Sequence, residues 1–122
     1  MNKNTLIIAD GTKNLNDVRQ YITNVIIPDS VTSIRDASFY GCSSLTEINI
    51  PDSVTSIGDA AFFDCVSLKE INIPNSVTEI GYYAFYCCDS LKAIYIDKEK
   101  DSLDLSKTRI PEDCKVYWKG EF

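Results

Sequence analysis

Histidine is absent from the chain. That removes the commonest general base, the Ser–His and Cys–His nucleophile pairings and the most frequent zinc ligand together. The groups left that could do chemistry are five cysteines, Cys42, Cys65, Cys87, Cys88 and Cys114, and a pair of glutamates, Glu47 and Glu70. Cys42, Cys65 and Cys88 follow one another at equal intervals. Thiols at one repeat position fall in a line, whereas a tetrahedral metal site needs ligands converging from several directions; the expectation is a buried thiol ladder and no metal centre. The alternatives are a Cys65–Cys88 disulfide in an oxidising setting, or reactivity at Cys87 or Cys114. An odd number of cysteines, three of them at one repeat position, fits a reducing compartment better than a disulfide framework. Glu47 and Glu70 stand at that same interval and resemble a carboxylate pair, yet rows of solvated acids are ordinary on a repeat surface. The reading is therefore of a chain that is not an enzyme, with no catalytic residues and no cofactor.

What positions these residues is a repeat. The stretch Ile50–Leu68 recurs on both sides almost letter for letter: Pro28, Pro51 and Pro74 mark three starts, and Val31/Val54/Val77, Ile34/Ile57/Ile80, Phe39/Phe62/Phe85 and Leu45/Leu68/Leu91 keep the same period. Self-similarity at such a period is the signature of a solenoid. Within each unit, Leu45-x-x-Ile48-x-Ile50 and its copies end in the period-2 alternation of a half-buried strand, which places strands near 24–27, 47–50, 70–73 and 93–96. Proline at the strand exit, followed by Asp-Ser or Asn-Ser, turns the corner. Val54–Ile57 offers a second short strand, and 59–65 is too short for more than one helical or 3₁₀ turn. Coils stacked in register place strands side by side as a parallel sheet and Phe39, Phe62 and Phe85 as an internal aromatic ladder.

The chain then reads as one domain: a shortened capping repeat over 5–27, full repeats over 28–50, 51–73 and 74–96, and an irregular cap over 97–122. The first coil is shorter than the others where they carry Phe-x-x-Cys, and the polar stretch Asn14–Tyr21 suits an exposed end. After Ile96 the period fails in a charged run, Asp97–Ser102, and Val116-Tyr117-Trp118 resembles a closing strand with Trp118 sealing the core. The alternative for 97–109 is a flexible linker.

Twelve basic against 18 acidic residues give a formal charge of −6, which disfavours nucleic acid and anionic membrane as partners. No apolar run approaches the length of a membrane span, and the start carries no signal peptide as written. The localisation expected is cytoplasmic if the chain is complete, and the cell surface or the medium if it is a fragment.

The unit Ile-Pro-x-Ser-Val-Thr-x-Ile-Gly-x-x-Ala-Phe-x-x-Cys-x-Ser-Leu-x-x-Ile-x-Ile, fullest over 50–73 and 73–96, closely resembles the BspA-like leucine-rich repeat family. Arg35 stands where Gly58 and Gly81 follow the pattern, and Ser38 where Ala61 and Ala84 do. The resemblance covers about residues 25–96 well and the caps loosely. It implies a right-handed leucine-rich repeat solenoid of the α/β horseshoe type, mainly parallel β with short helical or 3₁₀ turns, among proteins linked to surface adhesion and protein binding. It brings no catalytic residues.

Two surfaces are left for a partner. The outward side of the strands carries Asn24, Ile26, Glu47, Asn49, Glu70, Asn72, Tyr95 and Tyr117, in one row of amides with apolar or aromatic ends and one row of acids edged by Lys69 and Lys92. Binding of a protein through this face is the leading expectation, with a structural or adhesion spacer of a larger surface protein as the alternative. On the opposite side Tyr40, Phe63 and Tyr86 each follow a buried phenylalanine, with Tyr82 and Tyr83 a turn earlier. If exposed, they offer a patch for self-association.

Overall fold

Twice in every repeat unit the chain turns a tight corner closed by one backbone hydrogen bond. At the first, Val31, Val54 and Val77 donate to the carbonyls of Pro28, Pro51 and Pro74, at 3.0, 3.1 and 3.2 Å. At the second, Leu45, Leu68 and Leu91 donate to Cys42, Cys65 and Cys88 at 3.2, 3.2 and 3.0 Å. Each proline presets the backbone for its turn and leaves the ladder without a donor, so the strand stops there. The computed structural model describes residues 18–122 and the backbone of Thr5–Ile7.

Between corners run short parallel strands. They are β1 (Thr5–Ile7), β2 (Asn24–Ile26), β3 (Ser33–Ile34), β4 (Ser56–Ile57), β5 (Glu70–Ile73), β6 (Glu79–Ile80), β7 (Ala93–Ile96) and β8 (Lys115–Trp118). β3, β4 and β6 pair in order on one side of the coil, β5, β7 and β8 on another, and β1 pairs with β2, all parallel. The molecule is thus a β-solenoid of about four turns. The expected alternation holds: β5 reads exposed, buried, exposed, buried. The expected strand over 47–50 keeps the same alternation but forms no ladder. The bond from Lys69 N–H to the Thr46 carbonyl beside it, at 3.3 Å, lies beyond the usual range, where the matching bonds from Lys92 to Lys69 and Lys115 to Lys92 are 2.9 Å.

Inside, residues from every described coil form one hydrophobic cluster. Phe39, Phe62 and Phe85 stack in sequence at centroid distances of 5.5 and 5.8 Å, as their spacing predicts. Trp118, in register with Ile96, is buried at the C-terminal end. The linker alternative for 97–109 fails: Leu103 and Thr108 are buried, and Lys107 and Thr108 accept hydrogen bonds from the preceding coil. Coils approach closely at the corner held by Gly81, where a Cβ would lie 2.6 Å from the Asp59 backbone nitrogen.

The segment expected to form a helical turn instead forms a turn arm. Its residues Ala60 and Asp64 in one coil, and Tyr83 and Cys87 in the next, have φ between 54° and 66°. Left-handed residues at both ends of so short a stretch stop a right-handed helix. Its amides are used elsewhere as well. Ala37, Phe39 and Gly41 donate to Asp59, Ala61 and Phe63 of the next coil at 2.8 Å, and Ala60, Phe62 and Asp64 repeat this towards Tyr82, Ala84 and Tyr86. Among the described residues the only helix is the 3₁₀ turn Arg19–Tyr21.

That turn places Arg19 at the N-terminal end of the arm, where its Nη1 donates to the carbonyls of Ser38 (3.1 Å) and Tyr40 (2.8 Å). In later coils the equivalent carbonyls, Ala61 and Phe63, then Ala84 and Tyr86, accept backbone amides from the coil before. A side-chain guanidinium thus bonds the carbonyls that backbone amides bond in later coils. Of the first coil, residues 8–17, including the start of the polar stretch expected to cover the end, lie outside the described residues.

Candidate recognition surfaces

The alternation of the strands decides which side chains leave the sheet. In β5, Ile71 and Ile73 point into the core, so Glu70 and Asn72 point out; β7 and β8 repeat this with Ala93 and Tyr95, then Lys115 and Tyr117. Parallel register sets Asn72 beside Tyr95, and Tyr95 beside Tyr117. The two tyrosine rings stack at 5.3 Å with 17° between their planes. Asn24, Glu47 and Asn49 are exposed, and Ile26 is 46% exposed, on the coils before. Every residue expected on this face is therefore outward, but no ladder joins Glu47 to Glu70, and the long Lys69–Thr46 bond beside them is their nearest backbone tie.

Two features here escaped the sequence reading. Gly120, with φ of 89°, lets the chain double back after β8, and Phe122 comes to rest tilted on Tyr95 at 5.2 Å. Glu121 closes that reversal by accepting the Trp118 N–H at 2.7 Å. Lys92 forms an ion pair with Asp113 at the face's edge; both ends are solvated, so it contributes little. An open depression lined by Lys69, Glu70, Asp89, Lys92, Tyr95 and Tyr117 joins the rings to these charges.

The turn arm makes a second face. Phe39, Phe62 and Phe85 are buried, while of the residues next in the chain Tyr40 and Tyr86 are exposed and Phe63 is half-buried. Tyr40 stacks on Phe63 at 4.8 Å with 6° between planes, and Phe63 meets Tyr86 edge to face at 5.2 Å. Tyr83 adds a ring 5.7 Å from Tyr86. Tyr40, Tyr82, Tyr83 and Tyr86 are between 42% and 57% exposed, so the outer rings form a patch and are not absorbed into the core.

This patch is edged by two cations that the sequence reading did not single out. Lys107 Nζ stands 5.1 Å over the Tyr82 ring, and Arg109 Cζ 5.4 Å over Tyr83. They reach it because the last coil is out of step. Inner arms bond from Ala37 to Asp59 and from Phe39 to Ala61; the same step would take Tyr83 to Leu105 and Phe85 to Lys107, but they bond further on, to Lys107 and Thr108. Thr108 takes the small buried place of Ser38, down to its hydroxyl bond: Thr108 donates to Leu105 as Ser38 does to Arg35. The signal available in the sequence was that Thr108.

The thiols form the ladder that their spacing predicts. Cys42, Cys65 and Cys88 are buried, and the last two donate S–H to Phe39 and Phe62 carbonyls at 3.1 and 3.0 Å. Burial pushes Cys42 up to about 11, against the opposing Arg19 charge, and Cys88 up to about 12; Cys65 is raised further by burial and by its two thiol neighbours. Thiols so held are neutral and poor nucleophiles. Cys114 is not in this ladder: it donates N–H to Pro111 as Leu91 does to Cys88, so it stands in the leucine row. All five cysteines are free, and no group of three metal-binding side chains occurs among the described residues. No described helix is long and apolar enough to cross a membrane.

In-register parallel strands around an Ile, Leu, Phe and Cys core, renewed with each repeat unit, define a leucine-rich repeat solenoid. The pattern of the BspA type leucine rich repeat region matches residues 17–114 in 6 copies, and the chain belongs to that family. It is similar to the crystal structure of a leucine-rich repeat protein from Bacteroides ovatus, with a TM-score of 0.74 and 33% identity over 81% of this chain and 25% of that one. It is similar also to the T. pallidum leucine-rich repeat protein, with a TM-score of 0.72 and 25% identity over 94% of this chain and 55% of that one. The chain thus spans between a quarter and about half the length of these relatives. No curated protein sequence matches it. Repeats of this family commonly serve as protein-interaction modules, often on surface proteins.

Proposed function

We propose that the chain is a non-catalytic recognition module that engages a partner protein through the outward face of its strands. The observation that carries this reading is the shared register of Asn72, Tyr95 and Tyr117, with Asn49, Ile26 and Asn24 exposed towards the N-terminal side. Amides beside paired rings suit an interface: the rings supply a desolvated anchor, the amides orient the partner, and Glu47, Glu70, Lys69 and Lys92 make a charged rim. Phe122 lies on the anchor, so a partner packs against it or displaces it. Capture from an extract of the source cells tests the reading. The parent chain is expected to retain a saturable partner that an Asn72→Ala/Tyr95→Ala variant loses by about tenfold or more in affinity. Equal retention by both would move recognition off this face.

A second reading, a structural or adhesion spacer of a longer surface protein, is supported by the greater length of the two solved relatives. Its location would be the cell surface or the medium, whereas a free-standing module would be cytoplasmic. Catalysis has the least support, since histidine is missing and the ladder thiols are held neutral.

A further inference from the structure

We infer that the turn face is a second binding surface, separate from the strand face, and that it takes an acidic protein segment carrying apolar side chains. Charge is unevenly spread over the molecule. The chain is acidic overall, yet where Lys107 and Arg109 edge the outer rings they contact Tyr82 and Tyr83, and among the described residues neither forms an ion pair. A guanidinium laid on a ring keeps its in-plane N–H groups free, the geometry that accepts a carboxylate in bidentate fashion.

The nearby carboxylates are committed or displaced: Asp104, held below the usual carboxylate range by Ser106 and then by the Lys107 charge, accepts the Ser106 hydroxyl and N–H at 2.6 and 2.9 Å. Asp36 accepts the Asp59 N–H and Asp59 accepts the Tyr82 N–H, each at 2.8 Å, so both are turned into the stack. Asp64 and Asp89 lie near Cys87, at the exit of the arm, and raise its thiol after burial has done so. The cations sit at the entry. The face is therefore polarised, basic beside Tyr82 and Tyr83 and acidic beyond Tyr86, with Tyr40, Phe63 and Tyr86 as apolar ground between coils. Rings such as these, large and stiff, give contact area at low entropic cost. A partner with carboxylates over Lys107 and Arg109 and apolar side chains over Phe63 and Tyr86 matches it in charge and in polarity.

The test uses a fluorescein-labelled synthetic peptide of alternating glutamate and phenylalanine, with glutamate–serine and lysine–phenylalanine peptides beside it. The whole chain is titrated and anisotropy followed. The glutamate–phenylalanine peptide is expected to bind most tightly, to weaken as salt rises, and to lose about tenfold or more in affinity with Lys107→Gln/Arg109→Gln and with Tyr86→Ser. Asn72→Ala/Tyr95→Ala is expected to bind it as the parent does, which separates this surface from the strand face. Circular dichroism establishes that each variant is folded, and either turn-face variant alone suffices. Equal binding of the lysine peptide, binding unaffected by both turn-face variants, binding lost only with the strand-face variant, or no binding would overturn the inference. So would sedimentation showing a concentration-dependent dimer that Tyr86→Ser dissolves, since the occupant would then be a second copy.

Discussion

The strand face and the turn face are cut from the same repeat, yet they use it in opposite ways. On the strand side, backbone alternation sends every second residue outward, and the outward row changes along the stack, from Ile26 through the amides Asn49 and Asn72 to the rings Tyr95 and Tyr117. On the turn side the exposed row is nearly uniform, Tyr40, Phe63 and Tyr86, and the rings touch one another. Variety on one face suits recognition of an irregular partner; uniformity on the other makes a continuous apolar strip. The contrast also separates stability from function. Behind the turn face the inner ring of each pair is wholly buried and carries the packing, which leaves the outer ring free to vary.

The largest test of that separation compares neighbours. Phe62→Ala should cost about 3–5 kcal/mol in urea unfolding, since it opens a cavity in the middle of the ladder. Phe63→Ala, next in the chain and half-buried, should cost only about 1 kcal/mol, the scale of its ring contacts. Comparable losses would mean that the outer row is part of the core. Gly81→Ala follows, at about 1–3 kcal/mol, because the new methyl meets backbone of the previous coil that cannot step aside.

A test by pH reaches the thiols at the corner between the two faces. Their folded values are raised, so the unfolded chain loses thiol protons first; stability is full below about pH 8.5 and falls as pH rises towards about 12, where Cys88 ionises in the fold. Removing that thiol with Cys88→Ala should flatten the fall by about 1.4 kcal/mol per pH unit over this window. Unfolding midpoints at several alkaline pH values would read it, and an unchanged slope would mean that Cys88 is not shielded. The smallest effect belongs to the strand face: Asn72→Ala should shift stability by no more than about 0.5 kcal/mol. A larger loss would make that exposed amide part of the scaffold.

Much of this was legible in the sequence, and for one reason: a residue repeated at a fixed period has the same surroundings each time, so Phe39, Phe62 and Phe85, the thiol ladder and the corner prolines could be placed without coordinates. The family followed from the same letters. Where surroundings stop repeating, the inference fails. Nothing local marks 47–50 as a strand that will lack its ladder, because pairing depends on how far the neighbouring coil stands off. Arg19 reads as one charge in a polar stretch until the Ser38 and Tyr40 carbonyls are seen to lie within its reach. Lys107 and Arg109 come to the rings only through the slip in step of the last coil, and Phe122 reaches Tyr95 only through the reversal at Gly120.

The hold of Arg19 on the Ser38 and Tyr40 carbonyls has a consequence for building with these coils. On the turn arm each coil hands its amides forward, while Thr55, Thr78 and Lys92 on the other sides hand theirs back to Thr32, Thr55 and Lys69. The array therefore has a head and a tail, and a coil with no arm before it leaves three arm carbonyls without their amide donors. An array trimmed to begin at residue 51 would bare those of Asp59, Ala61 and Phe63, and grafting a guanidinium opposite the last two, as Arg19 stands opposite Ser38 and Tyr40, is the direct way to begin closing its front.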